Sequence, residues 1–321
     1  MEQTIIKNQP KRHSSITNFW QSVHKDWLFW VLICGFGLLG LGIYVLVRKD
    51  GNRGVFILPY LILAILFIIV PLVFLFIQAF ISFEGGFTFN NFLSFSEMGG
   101  WSLLWRSIRI AGITTLICLV IAYPVALILS SKEMKVPLIV IMFFIVPMLI
   151  NVVLRTFALR EIFMWIERAV RESRGEVFNL SDDFKIITAL ILDYFPFMLL
   201  PIYTILRTQD KSLQEAAADL GASKIRVFLK VVLPLSVAGI ISGIMMVFLP
   251  AISNFAIPYI VMEFFNAESQ LLGNLIWHQF SSRTTYNVGA AYGLILLLLV
   301  ATSVAIITKF TKGKAKGGIS F

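Results

Sequence analysis

Apolar residues in this chain fall in long blocks, separated by short polar stretches. The blocks run to about 20 residues or more, long enough to cross a bilayer as helices and unlike the alternating stretches of about ten that build a membrane barrel. Seven can be read, at about 27–47, 55–81, 103–130, 136–157, 184–206, 233–261 and 287–308. The pattern predicts an all-α polytopic membrane protein. The last six blocks form a unit, so the expected division is an N-terminal extension with one additional hydrophobic segment at 1–54 and a six-helix transmembrane domain at 55–321.

The polar stretches set an orientation. Lys and Arg concentrate on the cytoplasmic side of membrane helices. "SSKEMK" carries Lys132 and Lys135, the stretch after the fifth block carries Arg207, Lys211, Lys224, Arg226 and Lys230, and the tail "KFTKGKAKGG" carries four lysines. These three sides, the C-terminus among them, are expected in the cytoplasm. The alternate stretches agree: "SFEGGFTFNNFLSFSEMGGW" has no basic residue and "EFFNAESQLLGNLIWHQFSSRTTYN" has only Arg283. The outer stretch "REIFMWIERAVRESRGEVFNLSDDFK" mixes both signs. Its Ile162, Phe163, Ile166, Ala169 and Val170 recur at helical spacing, with Glu167 and Arg171 four apart, which predicts a short amphipathic helix over the outer mouth. The first block has basic residues on both flanks; its length favours a crossing over a re-entrant element.

Composition narrows the class. At 58% hydrophobic and 14% charged, the chain is far more apolar than soluble domains, which run at about 45–50% and 25%. The net charge of +9 sits beside the spans and points to the lipid bilayer rather than to nucleic acid. Cys34 and Cys118 lie inside apolar blocks, which excludes a disulfide framework and a CxxC metal site. No cleavable signal peptide is expected, because the first apolar run is too long and lacks a small-residue cleavage site. Paired glycines at 239 and 243, and at 289 and 293, predict close helix contacts within the chain or with a second membrane subunit.

One polar segment stands out, "LRTQDKSLQEAAADLGASKIRVFLKVVLPLS" at about 207–234. Ser212 with Glu215 has capping-box spacing, and Gly221 is a helix stop. Ser223 can cap a second helix with Ile225, Phe228 and Val232 on one face, ahead of Pro234. This is a cytoplasmic helix-turn-helix anchored at both ends in the membrane, a stiff element that a partner could grip. It could equally lie on the membrane surface.

The spacing Glu215-Ala216-Ala217, Gly221 and Val231-Val232-Leu233-Pro234 resembles the EAA loop of the permease subunits of ATP-binding-cassette importers, with Val231 where isoleucine is usual. "LRTFAL" at 154–159, "YFPFMLLPIY" at 194–203, "LPAISNFAIP" at 249–258 and "LLGNLIWHQF" at 271–280 resemble the B-type spermidine/putrescine permeases of that family. The resemblance covers roughly 55–310. The segment at 27–47 and the charged outer loop depart from the family's pattern.

The resemblance implies a six-helix permease core that pairs with a second permease subunit. It implies a cytoplasmic ATP-binding-cassette ATPase dimer gripping the loop through Glu215, Ala216, Ala217, Gly221, Leu233 and Pro234. It also implies an extracellular or periplasmic substrate-binding protein that delivers a polyamine. No GxxxxGK[ST] phosphate loop occurs in the chain, so ATP and magnesium are expected in the partner ATPase, with no cofactor or catalytic residue here.

Among residues of the spans, Asp193 beside Tyr194 is the first candidate for the substrate pathway. An acid in an apolar span costs about 2.5–3.5 kcal/mol on insertion scales, and a polyamine would be drawn to it, with Tyr194 adding a cation–π face. Pairing with a nearby arginine is the plainer account. Asn254, which could simply bond another helix, and Glu263 at the outer mouth are further candidates. HExxH and GxSxG are absent, which leaves a membrane hydrolase without support. The alternatives are an ion-gradient-driven secondary transporter, a permease for another small solute, and a structural scaffold.

Overall fold

The computed structural model describes residues 62–63, 65–131, 144, 146, 150–175, 178–262 and 270–317. The chain divides into two units, 1–74 and 75–321. The segment at 27–47 and Cys34 lie outside the described residues. In the first unit, a π-helical turn at Ile65–Ile69 leads into helix α1, Val70–Ala79, which continues into the second.

Among the described residues of the second unit the regular elements are all helices, with one isolated antiparallel bridge between Ile81 and Phe87. α2 spans Asn90–Glu97, α3 Gly100–Leu129, α4 Val152–Arg174 and α5 Asp182–Thr208. α6 spans Ser212–Asp219, α7 Lys224–Val227, α8 Leu233–Ser253, α9 Ala256–Val261, α10 Leu272–Ser281 and α11 Tyr286–Gly317. Among the described residues four helical stretches are long and apolar enough to cross a membrane: 100–129, 182–208, 224–253 and 286–309. The all-α polytopic reading stands.

Three of these stretches make the centre. α5 packs on both α3 and α8, which also pack on each other. Buried Ile110 and Cys118 of α3, Leu190, Met198 and Ile202 of α5, and Val247 and Ile252 of α8 form one core. A smaller cluster joins Phe95, Leu272, Ile276 and Tyr292. The glycine pair of α8 explains how close the central helices come. A methyl group at Gly239 would stand 2.9 Å from the Pro201 carbonyl oxygen, and one at Gly243 would stand 2.6 Å from Met198 Sδ. The pair therefore serves contact within the chain, where small residues let backbones approach.

Two apolar blocks are not single helices. The block at 233–261 breaks at Asn254, whose extended backbone (ψ 128°) ends α8 before α9 begins. The Asn254 side chain repairs the break, since its Oδ1 accepts from Ile257 N–H at 2.9 Å. The block at 136–157 is interrupted at Asn151, which caps α4 by accepting from Val153 N–H at 2.8 Å. The end of that block and the amphipathic outer helix are thus one helix of 23 residues.

The charge pairing on α4 also differs from the sequence expectation. Glu167 turns inward and pairs with Lys185 of α5 at 2.8 Å rather than with Arg171. Its Oε1 also accepts from Leu180 N–H at 2.8 Å. Two charges this deeply buried need each other and a further hydrogen bond. Nearby, Asp183 accepts from Arg106 Nε at 3.1 Å and from Arg109 Nη2 at 2.8 Å, tying the start of α5 to α3.

Candidate functional site

Two arrangements carry the candidate residues, one at each part of α5. The first is the turn that follows α5. α6 has no buried residue, and Ala216 lies exposed with Leu213 and Leu220. The capping box does not start this helix. Lys211 occupies the cap position but its side chain does not cap the helix, and the Asp210 carboxylate accepts from Ser212 N–H at 3.0 Å. A carboxylate two residues before the serine outcompetes it because it reaches the first free N–H.

Gly221 ends α6 as expected. Its φ of +82° is left-handed, and both bonds of a Schellman turn form, Gly221 N–H to Ala218 O at 2.9 Å and Ala222 N–H to Ala217 O at 3.1 Å. Ser223 then caps α7 by accepting from Arg226 N–H at 3.4 Å. From here the structure departs from two short helices. α7 passes through a π-helical turn at Phe228–Val232 straight into α8, giving one helical rod over 224–253. Leu233 N–H donates to Phe228 O in the widened turn. Pro234 has no N–H and its ring crowds the preceding turn, and the wider turn absorbs both. Ile225 is exposed while Val232 is buried, so the apolar face expected of the second helix is covered only near the membrane.

The element is anchored at its base. Gln209 Nε2 donates to the Val232 carbonyl at 3.3 Å, bridging the end of α5 to the rod. Lys211 Nζ donates to Ser130 O at 3.2 Å, at the C-terminus of α3 where a cation also suits the helix dipole. Arg207 Nη1 donates to the Tyr203 hydroxyl at 2.6 Å. Glu215, Ala216, Ala217 and Gly221 are thereby gathered on one short helix and its turn, and Leu233 and Pro234 begin the span behind it.

The second arrangement is a cleft of about 350 Å³ lined by Ile150, Asn151, Val152, Arg155, Asp193, Tyr194 and Phe197. Asp193 lies eleven residues into α5, about 16 Å along its axis. It forms an ion pair with Arg155 of α4. The arginine partner weighed for Asp193 therefore exists, and it lies on the wall of the cleft. Tyr194 is buried, and its hydroxyl oxygen accepts from Asn254 Nδ2 at 2.9 Å. Asp193, Tyr194 and Asn254 come together; Glu263 lies outside the described residues. Arg155 and Phe197 were not singled out by the sequence reading. The usable signal was a lone arginine inside "LRTFAL" on a segment neighbouring a lone acid.

The family described as "Binding-protein-dependent transport system inner membrane component" matches residues 134–314. The chain is similar to the spermidine/putrescine transport system permease protein PotB of Escherichia coli K12, 32% identical over 227 residues, or 67% of this chain and 79% of that one. It is similar to the protein of the same name from Haemophilus influenzae, 27% identical over 261 residues, or 77% and 90%. Among solved structures, a bacterial ABC transporter involved in the import of the acidic polysaccharide alginate superposes with a TM-score of 0.65 at 14% identity, over 92% of this chain and 98% of that one. That likeness speaks for the fold alone.

Proposed function

This chain belongs to the binding-protein-dependent transport system inner membrane components, and from that membership we propose that it forms half of the translocation pathway of an ATP-driven polyamine importer. It is a multi-pass inner-membrane permease. The single observation that carries the coupling half of the reading is the exposed α6 and its Gly221 turn, rooted in a helical rod that runs on through α8. The similarity to spermidine/putrescine permeases supports the cargo.

The physics of the rod gives a mechanism. Thirty continuous helical residues extend about 45 Å, so a push on α6 and α7 tilts the far end of α8 rather than bending a loop. Gly239 and Gly243 bring α8 against α5 at Pro201 and Met198, so α5 moves with it. A cytoplasmic ATPase dimer, holding ATP and magnesium, grips Glu215, Ala216, Ala217 and Gly221 here and the matching element of a second permease subunit. Leu233 and Pro234 pass the movement into the span. A substrate-binding protein delivers cargo on the outer side, and the C-terminus lies in the cytoplasm. Asp193, Tyr194, Asn254 and Glu263 line the path.

Uptake tests the assignment. Cells that rely on this importer for polyamines should lose most uptake of labelled spermidine and putrescine when this chain is depleted, and regain it when the chain is supplied again. Unchanged uptake on depletion would overturn the polyamine cargo.

A further inference from the structure

The cleft between the start of α4 and the middle of α5 has the makings of a cation site, and it already holds a cation. Its walls supply one carboxylate, Asp193, and two aromatic rings, Tyr194 and Phe197, a combination that attracts organic ammonium ions. The cation paired with Asp193 is the protein's own Arg155. The two side chains keep 21% and 13% of their surface accessible, so the pair borders the cleft instead of being sealed in the core. By contrast the Glu167–Lys185 pair, at 5% and 6%, is sealed.

We infer that Arg155 is a built-in stand-in for the cargo, a specificity-determining residue that a polyamine ammonium group must displace from Asp193 to occupy the cleft. This deepens the polyamine reading and rests on it. While the pair is made, the carboxylate is neutralised and a passing cation finds little attraction. A neutral solute gains nothing from Asp193 and has no means of exchanging with Arg155. A diamine does: one ammonium takes the carboxylate while the chain lies along the rings. Tyr194 is held in place for this, because Asn254 bonds its hydroxyl on one side and Ile257 N–H on the other. Arg155 is the cation that has to exchange.

A site occupied by an internal competitor is available only in the fraction of molecules where the competitor has let go, and apparent affinity falls by that fraction. The test uses the importer assembled from this chain, its partner permease and the ATPase in lipid nanodiscs, without the binding protein, with labelled putrescine and spermidine as probes. Arg155→Gln should bind them about tenfold or more tightly than the unsubstituted complex, as expected if Arg155 is released in a tenth of molecules or fewer. Arg155→Lys, which keeps a cation on Asp193, should stay close to the unsubstituted complex. The pair Arg155→Gln with Asp193→Asn should bind no better than Asp193→Asn alone.

An intact Arg155→Gln complex with no gain in affinity would overturn the inference, since a merely structural ion pair predicts lost assembly and no tighter binding. A second measurement needs no variant. Arginine-directed labelling of the unsubstituted complex by phenylglyoxal, read at Arg155 by mass spectrometry, should speed up when spermidine is added; an unchanged or slower rate would overturn the inference even where Arg155→Gln fails to assemble. The two readings fail separately. Asp193-dependent diamine binding in Arg155→Gln without spermidine uptake by the intact importer would remove the cargo and keep the exchange. Uptake without the gain would do the reverse.

Discussion

Gly221→Val is expected to cut ATP-dependent uptake by about tenfold at an unchanged amount of chain in the membrane. The glycine sits at φ +82°, where an L-residue pays about 1–2 kcal/mol, and that strain shifts the ratio of formed to unformed turn by a factor of about 5–30. A Cβ at this position meets nothing within 4 Å, so the loss comes from backbone strain and not from a clash inside the chain. Gly221→Asn separates the causes, because asparagine tolerates the left-handed region. It should keep most of the activity. Initial uptake rates normalised to membrane-embedded chain check both. Equal loss in the two variants would place the requirement on a partner's surface, and an active Gly221→Val would remove the rigid turn from the mechanism.

The buried pair of Glu167 and Lys185 should dominate stability. Each single change, Glu167→Gln or Lys185→Met, leaves one charged group in the interior without its partner, and such a break costs about 3–5 kcal/mol. Glu167→Gln retains a carbonyl oxygen for Leu180 N–H, so its cost isolates the stranded ammonium. The double change Glu167→Met with Lys185→Met removes both charges and should cost far less than the sum, the remaining loss being the Leu180 bond. Thermal unfolding of the purified complex measures the three. Near-neutral single variants would show that water reaches the pair.

Much of this architecture could be read from sequence where a local rule decides. Gly221 was legible because few other residues adopt its backbone conformation. Gly239 and Gly243 were legible because lipid offers helices no hydrophobic reason to meet, so small residues mark the contact. The breaks at Asn151 and Asn254 were hidden: apolar residues run straight through both, and hydropathy does not register a side-chain amide that caps the next helix. The inward turn of Glu167 was hidden because its partner, Lys185, lies on another helix, while Arg171 sat at the right local spacing. The same holds for the cleft. Asp193 announces itself as an acid in an apolar span, but the arginine that neutralises it is placed by the packing of α4 on α5.

The rod over 224–253 shows how a small local conflict reaches function. Proline at 234 reads as the start of a new span, which would put a joint between the cytoplasmic element and the membrane. The π-helical turn at Phe228–Val232 removes the joint. α7 and the span that packs on α5 are one continuous helix, so a push delivered through α6 and its Gly221 turn meets no second joint on the way into α8.

The most direct test of the account reconstitutes the importer in proteoliposomes with its binding protein outside and ATP inside, and follows entry of labelled spermidine. The account predicts uptake that requires hydrolysable ATP, stops when this chain is omitted, and persists when ion gradients are collapsed. Uptake that survives a non-hydrolysable nucleotide and follows an imposed ion gradient would contradict it.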